Sequence, residues 1–178
     1  MPILNPDGVY RGHYRTDCQG INLNRFYLNP SPEDHPSIYA MKNLALYTNI
    51  GNKLQLYLDL HAHASKKGCF LFGNTMDFRM QAEAFLFAKL YSMNSENLDF
   101  ENCDFSEKNM YAKEKGEAVS KEGSARVAIY KATNIPLCFT MECNYNAGRM
   151  INVLTVPVNM SGFENESERS KQQHRNKN

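Results

Sequence analysis

No run of apolar residues in this 178-residue chain approaches the roughly 18–20 that a bilayer-spanning helix needs. Charge of one sign is equally scarce. The formal net charge of +1 gives no global pull toward nucleic acid or membrane, so neither is an expected partner. The opening stretch, Met1-Pro-Ile-Leu-Asn-Pro6, lacks a basic region followed by an apolar one and does not read as a secretory signal. Cys-x-x-Cys is absent. The cysteines (Cys18, Cys69, Cys103, Cys138 and Cys143) are odd in number and widely spaced, which argues for free thiols in a reducing compartment over a disulfide framework. The sequons at Asn159 and Asn165 would matter only in a secreted protein, and the expected location is the cytosol. What is present, 42% hydrophobic and 22% charged residues, is ordinary for one globular domain with a sizeable core.

Residues 1–35 read as loops, with turn signals at Asn5-Pro-Asp-Gly8 and Asn29-Pro-Ser-Pro32. A helix is predicted from Pro36-Ser37 to a stop near Gly51, with Ile38, Met41, Leu44 and Ala45 on one face. The alternation of Leu54–Leu60 predicts a strand ending at His61, and Cys69–Phe72 a second short strand. A helix follows over about Asp77–Met93, with Phe78, Ala82, Phe85, Leu86 and Met93 at helical spacing. Residues 113–122, rich in Glu and Lys, read as a surface loop or short helix; the apolar segment Val127–Ala132 then precedes a strand, Leu137–Met141. Strands alternating with helices place the chain in the α/β class with a covered sheet.

A few residues could carry chemistry. Asp59-Leu-His61-Ala-His63 closes a predicted strand, and the carboxyl edge of an open α/β sheet is where ligands bind. The two histidines are expected to point in opposite directions, so that only one faces a metal easily. Glu142 ends an apolar strand, where partial burial would raise its pKa toward the range useful to a general base. Arg11, Arg15 and Arg25, with Asn22 and Asn24, crowd the first 30 residues, and loop arginines can grip a carboxylate bidentately. Arg126 abuts Val-Ala-Ile and would want an anionic partner. A satisfied structural histidine, a surface glutamate and a solvated basic patch explain the same residues, and composition and spacing by themselves favour those plainer readings for the histidine and for Glu142.

Longer strings go further. Leu4-Asn-Pro-Asp-Gly8, Gly12-His-Tyr-Arg-Thr-Asp17, Gly20-Ile-Asn-Leu-Asn-Arg25, Asp59-Leu-His-Ala-His-Ala-Ser-Lys-Lys-Gly68, Glu122-Gly-Ser-Ala-Arg-Val-Ala-Ile-Tyr130 and Phe139-Thr-Met-Glu-Cys-Asn-Tyr145 occur in this order from residue 3 to about 153. Together they resemble the zinc metallocarboxypeptidases, and within them the cytosolic carboxypeptidases that remove glutamates from tubulin. The resemblance implies an incomplete mixed-sheet, three-layer α/β/α carboxypeptidase domain over residues 1–158, lacking N-terminal strands and a closing C-terminal helix. The polar stretch 159–178 would be a disordered tail.

Position by position, the resemblance implies His61 as a Zn2+ ligand and Glu142 as the catalytic carboxylate. It also implies Arg15 as the group that polarises the scissile carbonyl, Asn24 and Arg25 as binders of the terminal carboxylate, and Arg126 as the contact for the terminal side chain. A guanidinium there suits glutamate, so the implied partners are polyglutamylated tubulin and other acidic protein tails. Tyr111 falls roughly where digestive relatives carry a mobile tyrosine. The family's remaining two zinc ligands lie in a His-x-x-Glu motif, and none of His13, His35, His61, His63 or His174 has Glu three residues later. Little or no peptidase activity, and marginal folding about an unpaired strand edge, are therefore expected of the isolated chain.

Overall fold

The computed structural model describes residues 3–113 and 119–154. The tail at 159–178 lies outside them, as do residues 114–118 of the Glu/Lys-rich stretch. Five helices are described: α1 (Pro6–Arg11), α2 (Pro36–Thr48), α3 (Phe78–Met93), α4 (Glu107–Tyr111) and α5 (Ala125–Thr133). Three strands, β1 (Tyr57–His63), β2 (Cys69–Phe72) and β3 (Cys138–Asn144), form one mixed sheet in the order β1-β3-β2. β3 runs parallel to β1 and antiparallel to β2.

Alternation along β3 divides the core in two. Cys138 points to one face and packs with Ile38 and Ala45 of α2, Ala125, Ala128 and Ile129 of α5, and Tyr57. Phe139 points to the other and packs with Ala84 and Ala88 of α3, Leu71 and Phe105. Helices thus cover the sheet on both faces, the layered α/β arrangement expected from the sequence.

Several boundaries differ from the expectations, each for a local reason. The first 35 residues are not all loop. Asn5 accepts from Gly8 N (3.1 Å) and caps α1, with Pro6 at its first position, and Leu23–Arg25 makes a 3-10 turn. β1 begins three residues later than the Leu54 start predicted from alternation and runs on to His63. The register that sets Tyr57 opposite Cys138 would put Pro136 opposite Gln55, and proline has no N–H to give the ladder. The strand predicted as Leu137–Met141 runs instead to Asn144, so Glu142 lies inside β3 rather than at its end.

The face predicted for α3 is turned outward. Phe78 is 87% exposed, Leu86 59% and Met93 60%, while Ala84, Ala88 and Ser92 are buried. Ala84 and Ala88 pack in the cluster around Phe139, and Phe87 bridges to the sheet by stacking on Phe139 at 5.3 Å. On α2, Ile38 and Ala45 are buried as predicted, but Leu44 is 48% exposed.

Candidate active site

The β1–β3 register builds the centre of the site. His61 pairs with Glu142, and side chains at equivalent heights of neighbouring parallel strands project to the same face. Glu142 Oε1 lies 3.6 Å from His61 Nδ1, and Asp59 Oδ2, two residues back on β1, lies 2.9 Å from Nε2. Burial alone would push the imidazole pKa down. The hydrogen bonds to Asp59 and Glu142, with their charges, outweigh burial and raise it to about 9. His63 shares this face, as alternate strand residues must, but its ring packs edge-on to Phe70 and its Nδ1 accepts from Ser65 N and Lys66 N. Partners, not direction, separate the two histidines.

A second wall comes from the loop-rich first 30 residues. Asn24 ties three elements together: its Oδ1 accepts from Ala125 N at the start of α5 (2.9 Å), and its Nδ2 lies 3.4 Å from His61 Nε2. Arg25 is buried and donates to Asn24 O (2.8 Å). The turn at Lys121–Gly123 comes so close that a Cβ on Gly123 would collide with the Arg25 carbonyl, so glycine is required there. Arg15 is held at the rim in a left-handed backbone conformation (φ 64°).

Arg126, on the first turn of α5, forms the floor. It is 2% exposed and donates to Gly73 O and Asn74 Oδ1, and no carboxylate among the described residues pairs with it. Burial pushes its pKa down to about 10, which leaves it cationic at neutral pH.

All six residues singled out from the sequence, Arg15, Asn24, Arg25, His61, Arg126 and Glu142, line one cavity of about 70 Å³. Arg11 is not among them. Tyr111 stands outside with its ring under Lys131 Nζ (5.0 Å).

Asp59, Asn109, Lys121, Ser124 and Thr140 belong to the site without having been picked out. Ser124 and Lys121 sit in or beside the Glu122–Tyr130 string, which was the available signal. Asn109 had none. Ser124 precedes α5 yet makes no side-chain cap bond, and its Oγ and Asn109 Oδ1 are buried without partners. Orphaned buried polar atoms in a cavity with an unpaired guanidinium suit a bound polar group.

The same geometry does not suit a metal. Among the described residues no group of three or more His, Cys, Asp or Glu side chains could hold one, and both His61 ring nitrogens face carboxylates. A metal here would need ligands these residues do not supply.

The layered fold and this basic, carboxylate-bearing pocket at a sheet edge define a metallocarboxypeptidase-like domain. A metallo-carboxypeptidase from Burkholderia cenocepacia superposes with a TM-score of 0.63 over 81% of this chain and 34% of that one, at 21% identity, a likeness of fold. No family model matches the sequence. The curated relatives carry the chain further. Cytosolic carboxypeptidase-like protein 5 of Danio rerio is 36% identical over 86% of this chain and 28% of its own length, and that of Rattus norvegicus 36% over 91% and 30%. Human cytosolic carboxypeptidase 6 is 38% identical over 59% of the chain and 22% of its own. The chain belongs to the cytosolic carboxypeptidase family. It spans about three-tenths of the length of the first relatives named. The zebrafish alignment covers 251 positions, more than the chain's 178 residues, so that relative carries residues within the matched stretch that have no counterpart here.

Proposed function

We propose that the chain carries the substrate-gripping and proton-handling side of a carboxypeptidase centre that removes glutamate from acidic protein tails in the cytoplasm, with polyglutamylated tubulin on microtubules as the substrate. The observation that carries this reading is Arg126: a buried cation with no carboxylate partner, at the floor of a cavity that His61 and Glu142 also line. A terminal glutamate side chain would supply the missing anion. Asn24 and Arg25 hold the substrate's terminal carboxylate, and Arg15, at the rim, reaches the scissile carbonyl and its developing oxyanion. Glu142, held in β3, accepts a proton from the attacking water and returns it to the leaving amine. The class uses a metal, usually zinc. The described residues do not complete such a site.

That incompleteness favours a second reading of the chain by itself, a non-catalytic binder of acidic tails. Two measurements separate the readings. Peptides ending in glutamate should bind the chain more tightly than the same peptides ending in leucine or amidated at the C-terminus. Equal binding of all three would remove both readings. Zinc-dependent release of glutamate should appear only in a protein extended to the span of its relatives. Stoichiometric zinc and turnover in the 178-residue chain would mean that ligands outside those described complete the site.

A further inference from the structure

β2 and β3 set two cysteines against each other. Cys69 and Cys143 are direct cross-strand partners in the antiparallel pair. The backbone of Cys69 faces away from β3: its N donates to Asn97 O (3.3 Å) and its O accepts from Asp99 N (2.7 Å). One residue earlier, Gly68 O accepts from Asn144 N (3.0 Å). Cys69 and Cys143 therefore occupy a non-hydrogen-bonded position, where facing Cα atoms lie about 4.5 Å apart. Disulfides span about 4.4–6.8 Å between Cα atoms, so a bond requires little backbone movement. Side chains of a facing pair project to the same side of the sheet, and both residues are half-buried, within reach of a small oxidant. The other cysteines stand apart in role. Cys18 is exposed, Cys138 is buried on the opposite face, and Cys103 bonds to Leu71 N and Asp99 O.

We infer that Cys69 and Cys143 form a reversible disulfide that ties β2 to β3 one residue beyond Glu142, on the opposite face of the sheet. The oxidant is hydrogen peroxide. One thiol attacks the peroxide O–O bond to give a sulfenic acid and water. The second thiol attacks that sulfur, the S–S bond forms, and a second water leaves. Two thiols lose two hydrogens and one peroxide becomes two waters. Burial, with the Cys69 thiol alongside, pushes the Cys143 thiol up to about 11, so the reaction is slow at neutral pH.

The test is to treat the folded 178-residue chain with hydrogen peroxide, block remaining thiols with iodoacetamide, digest with trypsin and analyse by mass spectrometry. The expected product joins peptide 68–79 to peptide 132–149, two hydrogens lighter, with fragment ions placing the bond at Cys143 and not Cys138. Dithiothreitol should reverse it. The product should be lost in both Cys69→Ser and Cys143→Ser and kept in Cys18→Ser. Two single variants guard against one failing to fold. Alkylation of both cysteines after full oxidation of Cys18, a bond to Cys103, or separate sulfinic acids at the two positions would each overturn the inference.

Discussion

β3 and β1 lie side by side in one sheet, carry the two central residues of the site, and are held very differently. β3 is paired along both edges and covered on both faces, and Phe139 within it is fully buried. β1 is paired only with β3 among the described residues, and Leu58 and Leu60 stand 36% and 71% exposed on the face opposite His61. A cavity of about 610 Å³ lies along β1, lined by Leu4, Met41, Leu54 and Leu56 through His61. Glu142 therefore sits on a strand whose position is over-determined. His61 sits on one whose position depends on β3, Asp59 and Asn24. The carboxylate of the pair thus sits on the rigid strand and the histidine on the one with an open edge among the described residues.

The largest expected effect falls on the central strand. Phe139→Ala should lower unfolding stability in urea by about 3–5 kcal/mol, the cost of emptying a packed aromatic site. Leu60→Ala on β1 should cost no more than about 0.5 kcal/mol. Equal losses would mean that β1 is covered after all, and the contrast between the strands would fall. Next in size is Arg126→Met. Binding of glutamate-ended peptides, followed by calorimetry, should weaken about tenfold to a hundredfold, the value of a charge-assisted hydrogen bond of roughly 1.5–3 kcal/mol. Stability should fall by about 1–3 kcal/mol, because Met leaves the buried acceptors Gly73 O and Asn74 Oδ1 short of a donor. A large stability loss with unchanged binding would make Arg126 a structural residue.

pH sharpens the contrast at His61. Its folded pKa is raised, so the protonated ring stabilises the metal-free chain fully below the unfolded value of about 6.5. That contribution is lost as pH rises through about 9. Urea midpoints should therefore fall between pH 6.5 and 9 in the native chain and stay nearly flat in His61→Asn over the same window. Parallel slopes would detach His61 from its two carboxylates. Smallest of all, Ser124→Ala should cost less than the ~1 kcal/mol usual for a helix cap, because Ser124 makes no cap bond. A full cap penalty would mean its hydroxyl is already spent on the helix.

Much of this was legible in the sequence because it is local. A short apolar run after the Lys-Lys-Gly turn placed β2, helical periodicity placed α2 closely, Asp77 marked the start of α3, and the order of the strings identified the family. Where larger forces compete, local signals misled. Phe78, Leu86 and Met93 have the spacing of a buried stripe, but the helix turns Ala84, Phe87 and Ala88 to the sheet instead. Pro136 shortened β1 through a register that no local pattern reveals.

The sequence by itself determined which chemical groups are available: one strand histidine of the expected kind, a strand carboxylate, a set of arginines, and no His-x-x-Glu. Only the tertiary structure decided that six residues spread from Arg15 to Glu142 share one small cavity, that Asp59 holds His61, and that Arg126 is buried without a counter-ion. The reason is physical. Residue identity sets what a group can donate, accept or ionise, whereas partnership depends on strand register and on helix α5 starting against Asn24, contacts made across as many as a hundred residues of chain.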